Sequence, residues 1–279
     1  MQQQLSEKQD AQEAQERSAP SGKVIYHAIL AEGQEELDRP SAGLFWSGLA
    51  AGLSMGFSMI AEGLLERYLP EAPWRPLVAN LGYSVGFLIV ILGRQQLFTE
   101  NTLTPILPLL QQPSWACLRN VLRLWGIVLF ANLLGALALS LVVAHSTVFE
   151  AEAKEVFTRM GQLALAPGFG TVLLRGIFAG WLIALMVWLL PYAEEGRIWV
   201  IIFLTYVVGV AHFSHVIAGS VEVFTLAAAG KTTWATALGS FTVPALLGNI
   251  LGGVPLVAVL NHAQVTAGKE GAGEEPAQQ

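Results

Sequence analysis

Two apolar stretches of this chain are too long for one membrane crossing, and polar residues break each of them. The first starts near Leu77 and runs to Leu110, with GRQQLFTEN at 93–101 inside it. The second runs from Trp199 to Ala229, with HFSH at 212–215 inside it. A hydrocarbon core of about 30 Å is crossed by about 20 helical residues. Irregular backbone at that depth is tolerated only where it is buried in protein or lines a water-filled path. The two breaks are therefore where function is expected. Four more apolar runs, at 42–64, 118–144, 169–191 and 235–261, bring the expected number of spans to six.

The composition agrees. Only 13% of the 279 residues are charged and 53% are hydrophobic. A soluble domain carries about 25% charged residues, so this is a polytopic membrane protein and not a nucleic-acid binder. The net charge of −6 sits in the tails. Residues 1–40 hold 4 basic and 8 acidic groups, and residues 263–279 hold 1 and 3. Residues 41–262 are balanced, with ten of each. A single cysteine, Cys117, excludes an internal disulfide or a cysteine metal cluster.

Residues 1–20 lack the apolar core of a signal peptide and read as part of an acidic N-terminal tail, 1–40. Within it, 23–38 reads as a short amphipathic helix with Val24, His27, Ile29 and Leu30 on a mixed face. Arg39-Pro40 stops it, and Ser41 is placed to cap the first span. The transport domain is then 41–262, followed by a disordered tail, 263–279. An even number of spans puts both tails on one side. That side carries eight Lys and Arg against five on the other, which places the tails in the cytoplasm.

The halves also echo each other. Leu97-Phe98-Thr99-Glu100 breaks the second span and His212-Phe213-Ser214-His215 breaks the fifth. Ala131-Asn132-Leu133-Leu134-Gly135 in the third span matches Gly248-Asn249-Ile250-Leu251-Gly252 in the sixth. Three spans per half invert one half relative to the other, the plan in which paired broken helices meet at the midplane.

These residues resemble the formate/nitrite transporter family over most of 25–262. YSVGFLIVILGRQQLFT at 83–99 is similar to the family's second helix and its breaking loop. GVAHFSHVIAG at 209–219 resembles its central signature, with His215 at the family's histidine. RGIFAGWLIALMVW at 175–188 resembles its fourth helix and GNILGG at 248–253 its sixth. GRQQLFTENTLTP is most similar to the YfdC-type branch. The resemblance implies an all-α membrane protein with six transmembrane helices in an aquaporin-like inverted 3+3 repeat, helices 2 and 5 being broken. It also implies a homopentamer in a bacterial inner membrane. The implied activity is passage of small monovalent weak-acid anions, formate or nitrite, coupled to protons through a central histidine. No cofactor or metal is implied.

The chain departs from the family at several polar positions. Gly180 stands where the fourth helix carries an asparagine, and Ala164 falls near an expected lysine. Ser214 and Gly219 replace a glutamate and an asparagine around the central histidine. These losses keep open a pore for neutral small solutes, and the long acidic tail keeps open a non-transporting sensor or scaffold. No phosphate loop, nucleophile–base set or metal cluster marks an enzyme.

For the substrate pathway, His215 is the expected central group, with Thr99 facing it from the other half and Ser214 beside it. Half-helices starting after Thr99 and after Ser214 would turn positive ends toward an anion. Tyr83, Phe87, Leu97, Phe98 and Val208 fall where the family places its apolar constrictions, which exclude bulk water. Arg94 and Glu100 flank the first break and read as an ion pair locking it, since unpaired charge there is expensive. Asn132 and Asn249 read as repeat-related packing residues. Glu62 and Glu66 read as solvated, and Glu222 as paired or facing a vestibule.

Overall fold

The computed structural model describes residues 21–270, and all regular structure among them is helical. The expectations for residues 1–20 and 271–279 lie outside the described residues. Helix α1, Gly22–Asp38, buries Tyr26, Ile29, Leu30, Gly33 and Leu37. That is one stripe at helical spacing. Val24 and His27 are exposed, so Tyr26 takes the place expected of them. Tyr26 Oη meets His262 Nδ1 at 2.7 Å, tying α1 to the last helix.

Helix α2, Ser41–Tyr68, starts without a side-chain cap. Ser41 instead takes a bond from Arg123 at 3.3 Å. Arg123 also donates to the carbonyl of Leu37 at 2.7 Å, holding the end of α1. Helix α3 spans Arg75–Leu92, with a 3-10 turn at Asn80–Tyr83. The first break follows, then the short α4, Ile106–Gln111. Helix α5, Trp115–His145, is capped by Ser114, whose Oγ accepts from Cys117 N at 3.1 Å. Helix α6 is Ala151–Leu165 and α7 is Phe169–Leu189. Helices α8, Arg197–Val210, and α9, Val216–Ala228, enclose the second break. Helix α10, Trp234–Ala267, contains two π-helical stretches, Ala237–Thr242 and Val254–Val259.

Five helices are long and apolar enough to cross a membrane: α2, α3, α5, α10 and Phe169–Tyr192, which contains α7. The stretch expected as a fifth span is two helices of 14 and 13 residues. Each is about 20 Å long at 1.5 Å per residue, too short to cross alone.

Helix α2 packs along α5, and α7 along α10. One glycine lets each pair approach closely. A Cβ on Gly52 would lie 2.1 Å from the Asn132 carbonyl oxygen, and one on Gly180 would lie 2.3 Å from that of Asn249. Gly180 thus opens no gap in the pathway: the backbone of α10 fills the space its side chain would take.

Candidate functional site

The two breaks are built alike. Helix α3 ends before Arg94 and α8 before His212, and both residues are in the left-handed region, at φ 49° and 51°. Arg94 N donates to Ile91 and Gln95 N to Val90; His212 N donates to Gly209 and Phe213 N to Val208. This is the pattern that ends helices by satisfying their last carbonyls. Each following segment is then held by one buried amide. Asn132 Oδ1 accepts from Phe98 N at 2.9 Å, and its Nδ2 donates to the carbonyls of Gly48 and Gln96. Asn249 Oδ1 accepts from Val216 N at 2.9 Å, and its Nδ2 donates to the carbonyls of Gly176 and Ser214.

This bonding sets the register between the breaks. Arg94 corresponds to His212, Gln96 to Ser214, and Phe98 to Val216. Matching by residue type had paired Phe98 with Phe213, three positions away, because Phe-hydroxyl occurs in both breaks. Thr99 and His215 face each other without being equivalent positions. Asn132 and Asn249 anchor the breaks, which goes beyond helix packing.

Thr99 Oγ1 and His215 Nε2 lie 2.8 Å apart, with both residues at most 1% exposed. The other ring nitrogen, Nδ1, accepts from the backbone N–H of Ala218 at 3.1 Å and so carries no hydrogen. Nε2 therefore holds the proton of the neutral ring and donates it to Thr99. The Thr99 hydroxyl hydrogen has no protein acceptor among the described residues. His215 is also the cap of α9, whose first N–H groups point into the break. Nothing comparable follows Thr99: there the chain makes one turn, Glu100–Thr102, before the six-residue α4. The expected pair of half-helices is thus one half-helix, α9, and one irregular turn.

Two cavities approach this contact from opposite ends of α3. One, of about 630 Å³, lies under α1 and is lined by Glu36, Arg94, Gln96, Glu100 and Arg197 among others. The other, of about 450 Å³, reaches His215 and is lined by Tyr83, Val208, Ser214, Glu62 and Glu222 among others. Between them Phe87, Leu97, Phe98 and Thr99 are buried and line neither. The Phe87 ring meets His215 edge-on, with centroids 5.0 Å apart. Phe98 turns aside to pack on Trp125, at 5.6 Å.

Arg94 and Glu100 do not form the expected ion pair. The ion pairs within 4.0 Å among the described residues join Arg67, Arg75 and Arg159 to Glu66, Glu71, Glu150 and Glu152. Arg94 follows the end of α3 in an exposed position and lines the cavity under α1. Glu66 is not simply solvated, since Arg75 and Arg159 hold it at 3.2 and 2.8 Å. Glu62, expected in solvent, is half-buried and lines the cavity that reaches His215.

Two residues of the site carry no motif in the sequence. Glu36 of α1 accepts from Gln96 Nε2 at 2.9 Å and from Thr104 Oγ1, which ties α1 to the first break. Burial pushes the Glu36 carboxyl up to about 7, against those hydrogen bonds. Phe241, from a π-helical stretch, places its ring 2.1 Å from where a Cβ on Gly219 would sit. The ring fills the space that a side chain at position 219 would use.

Known proteins share this fold and sequence. The family model described as formate/nitrite transporter matches residues 23–263. The inner membrane protein YfdC of Escherichia coli (strain K12) is 39% identical over 242 residues, covering 87% of this chain and 78% of that protein. The formate channel BtFdhC of Bacillus thuringiensis is 27% identical over 244 residues, covering 84% and 91%. Two solved structures share the fold. A pentameric formate channel with formate bound superposes with a TM-score of 0.66 at 20% identity, over 79% of this chain and 95% of that one. A formate/nitrite transporter family ion channel gives 0.71 at 19%, over 84% and 96%. Matched by its family model from α1 to the end of α10, and by a relative 39% identical over most of its length, the chain belongs to the formate/nitrite transporter family.

Proposed function

We propose that this protein is a membrane channel for small monovalent weak-acid anions of the formate and nitrite kind, passed together with protons. The observation that carries this reading is the buried Thr99–His215 contact, which joins the two breaks between two cavities. A small solute crossing there meets one free hydroxyl hydrogen and apolar walls. A full charge would be costly to strip of water at that point, so the permeant passes it as the neutral acid. The His215 ring orients Thr99.

The reading includes an inverted 3+3 repeat, in which α3 with α4 and α8 with α9 are the broken second and fifth of six spans. The matched Asn132 and Asn249 anchors and the paired helix ends support it. The cavity under α1 is then the cytoplasmic mouth, with both tails on that side, and the one lined by Glu62 is the outer mouth. We place the protein as a homopentamer in the bacterial inner membrane lipid bilayer, with one path per subunit. Many large apolar side chains, such as Trp46, Phe57, Phe130 and Phe203, are exposed in the single chain. Lipid and neighbouring subunits cover them. The neutral-solute alternative loses one support, since Gly180 leaves no gap.

Flux of formate, nitrite, acetate, lactate and hydrosulfide into proteoliposomes tests the reading. It predicts uptake of at least one well above protein-free vesicles, and uptake of none refutes it.

A further inference from the structure

His215 is badly placed to lend a proton. Its Nε2–H is given to Thr99, and a proton on Nδ1 would oppose the Ala218 N–H that points at it. A weak acid passing as a neutral molecule must then take its proton elsewhere. At pH 7 only about one in five hundred to one in a thousand molecules of a simple carboxylic acid are protonated, so a local donor matters.

The outer cavity holds candidates. Its titratable and charged lining groups are Glu62 and Glu66 from α2, Tyr83 from α3, Arg175 from α7, His212 and His215 at the second break, and Glu222 from α9. Glu66 is committed to Arg75 and Arg159. Glu62 and Glu222 have no cation within 4.0 Å among the described residues. Both line the cavity that reaches His215. Glu222 follows His215 by two turns of the same face of α9, about 10 Å. The cavity also has a built polar wall. Asn80 is 4% exposed, its Nδ2 donates to the Pro76 carbonyl, and its Oδ1 has no partner. The wall thus adds an acceptor where an anion would want donors. Carboxyls and an unpaired amide oxygen suit a solute that arrives at His215 as a hydrogen-bond donor, not as an anion.

We infer that Glu222, with Glu62 in the same cavity, loads the proton onto the permeant there. This rests on the channel reading above. The O–H bond of the Glu222 carboxyl breaks and an O–H bond forms on the permeant anion. The resulting acid moves past Thr99 and His215 uncharged. Glu62 passes a proton from outside water to the Glu222 carboxylate, restoring the carboxyl. One proton crosses with each anion, and no net charge moves.

The test is formate uptake by proteoliposomes of wild type, Glu222→Gln, Glu222→Asp and the Glu62→Gln/Glu222→Gln pair, at pH 4 and pH 7, with and without an imposed voltage. Loss of a positioned proton donor typically slows a proton-dependent step at least about a hundredfold. Uptake at pH 7 is expected to fall at least about tenfold in the double variant and to change less than about twofold at pH 4, where the medium supplies the acid. Glu222→Asp is expected to keep most of the pH 7 rate, and wild-type uptake to ignore voltage. Flux at pH 4 reports that the double variant is folded and inserted. Wild-type flux with an unchanged pH profile in the double variant overturns this inference alone. No wild-type flux at either pH overturns the channel reading and this inference with it.

Discussion

Asn132 and Asn249 hold the two breaks with the same three hydrogen bonds: one accepted from a backbone N–H, of Phe98 or Val216, one donated to the carbonyl two residues earlier, and one donated to a glycine carbonyl of the neighbouring helix. Each side chain is fully buried. Replacing either by alanine leaves one N–H and one carbonyl of the break unpaired, at about 1–3 kcal/mol for each group, while the glycine carbonyl keeps its helical partner. Asn132→Ala and Asn249→Ala are expected to lose stability by similar amounts, at least about 2 kcal/mol. Thermal unfolding in detergent measures this. A loss confined to one of them would break the equivalence of the two anchors.

Gly180→Ala is expected to destabilise the α7–α10 pair, since the new methyl would meet the Asn249 carbonyl. Such overpacking costs about 1–3 kcal/mol. Gly52→Ala should do the same to α2 and α5. An alanine tolerated at 180, seen as an unchanged melting temperature, would show that the two helices stand further apart.

Gly219 and Phe241 are coupled by shape. Gly219→Asn alone should fold poorly, because the Phe241 ring fills its space. Gly219→Asn with Phe241→Ala should recover yield of folded protein. Equal yields from both variants would mean that the ring moves aside freely.

Docking of α1 is expected to depend on pH. The Glu36 carboxyl is held at about 7 when docked, above its ordinary 4.5, because burial outweighs the bonds from Thr104 and Gln96. Glu32 nearby pushes the same way and Arg39 opposes it. The docked state therefore holds more protons than the undocked one between those values. Docking is strongest below about 4.5 and weakens as pH rises through 7. Hydrogen exchange of α1, corrected for intrinsic rate, should speed up over that window in wild type and not in Glu36→Gln.

The sequence made the breaks at 93–101 and 212–215 legible because polarity inside an apolar run needs only counting. It also pointed to Thr99, His215, Asn132 and Asn249, since a polar side chain in a span must find a partner. Register was harder. Phe98 and Phe213 look alike, but side-chain type does not set correspondence; helix ends and amide bonds do, and they pair Phe98 with Val216. The Arg94–Glu100 pair failed because proximity in sequence says little across a left-handed turn. Gly180 read as a lost polar group, whereas its role is contact with a backbone that hydropathy does not register. Phe241 and Glu36 act from elements remote in sequence, one in a π-helical stretch and one in a helix before the first span, and no local pattern marks either.

The most direct test of the proposed path uses Ser214, which lines the cavity beside His215. In a Cys117→Ser background, Ser214→Cys can be labelled with a bulky, membrane-impermeant thiol reagent while formate uptake into proteoliposomes is followed. The account predicts uptake before labelling, its loss after labelling, and slower labelling in excess formate. Uptake that continues unchanged with the cysteine fully labelled would contradict a path through Thr99 and His215.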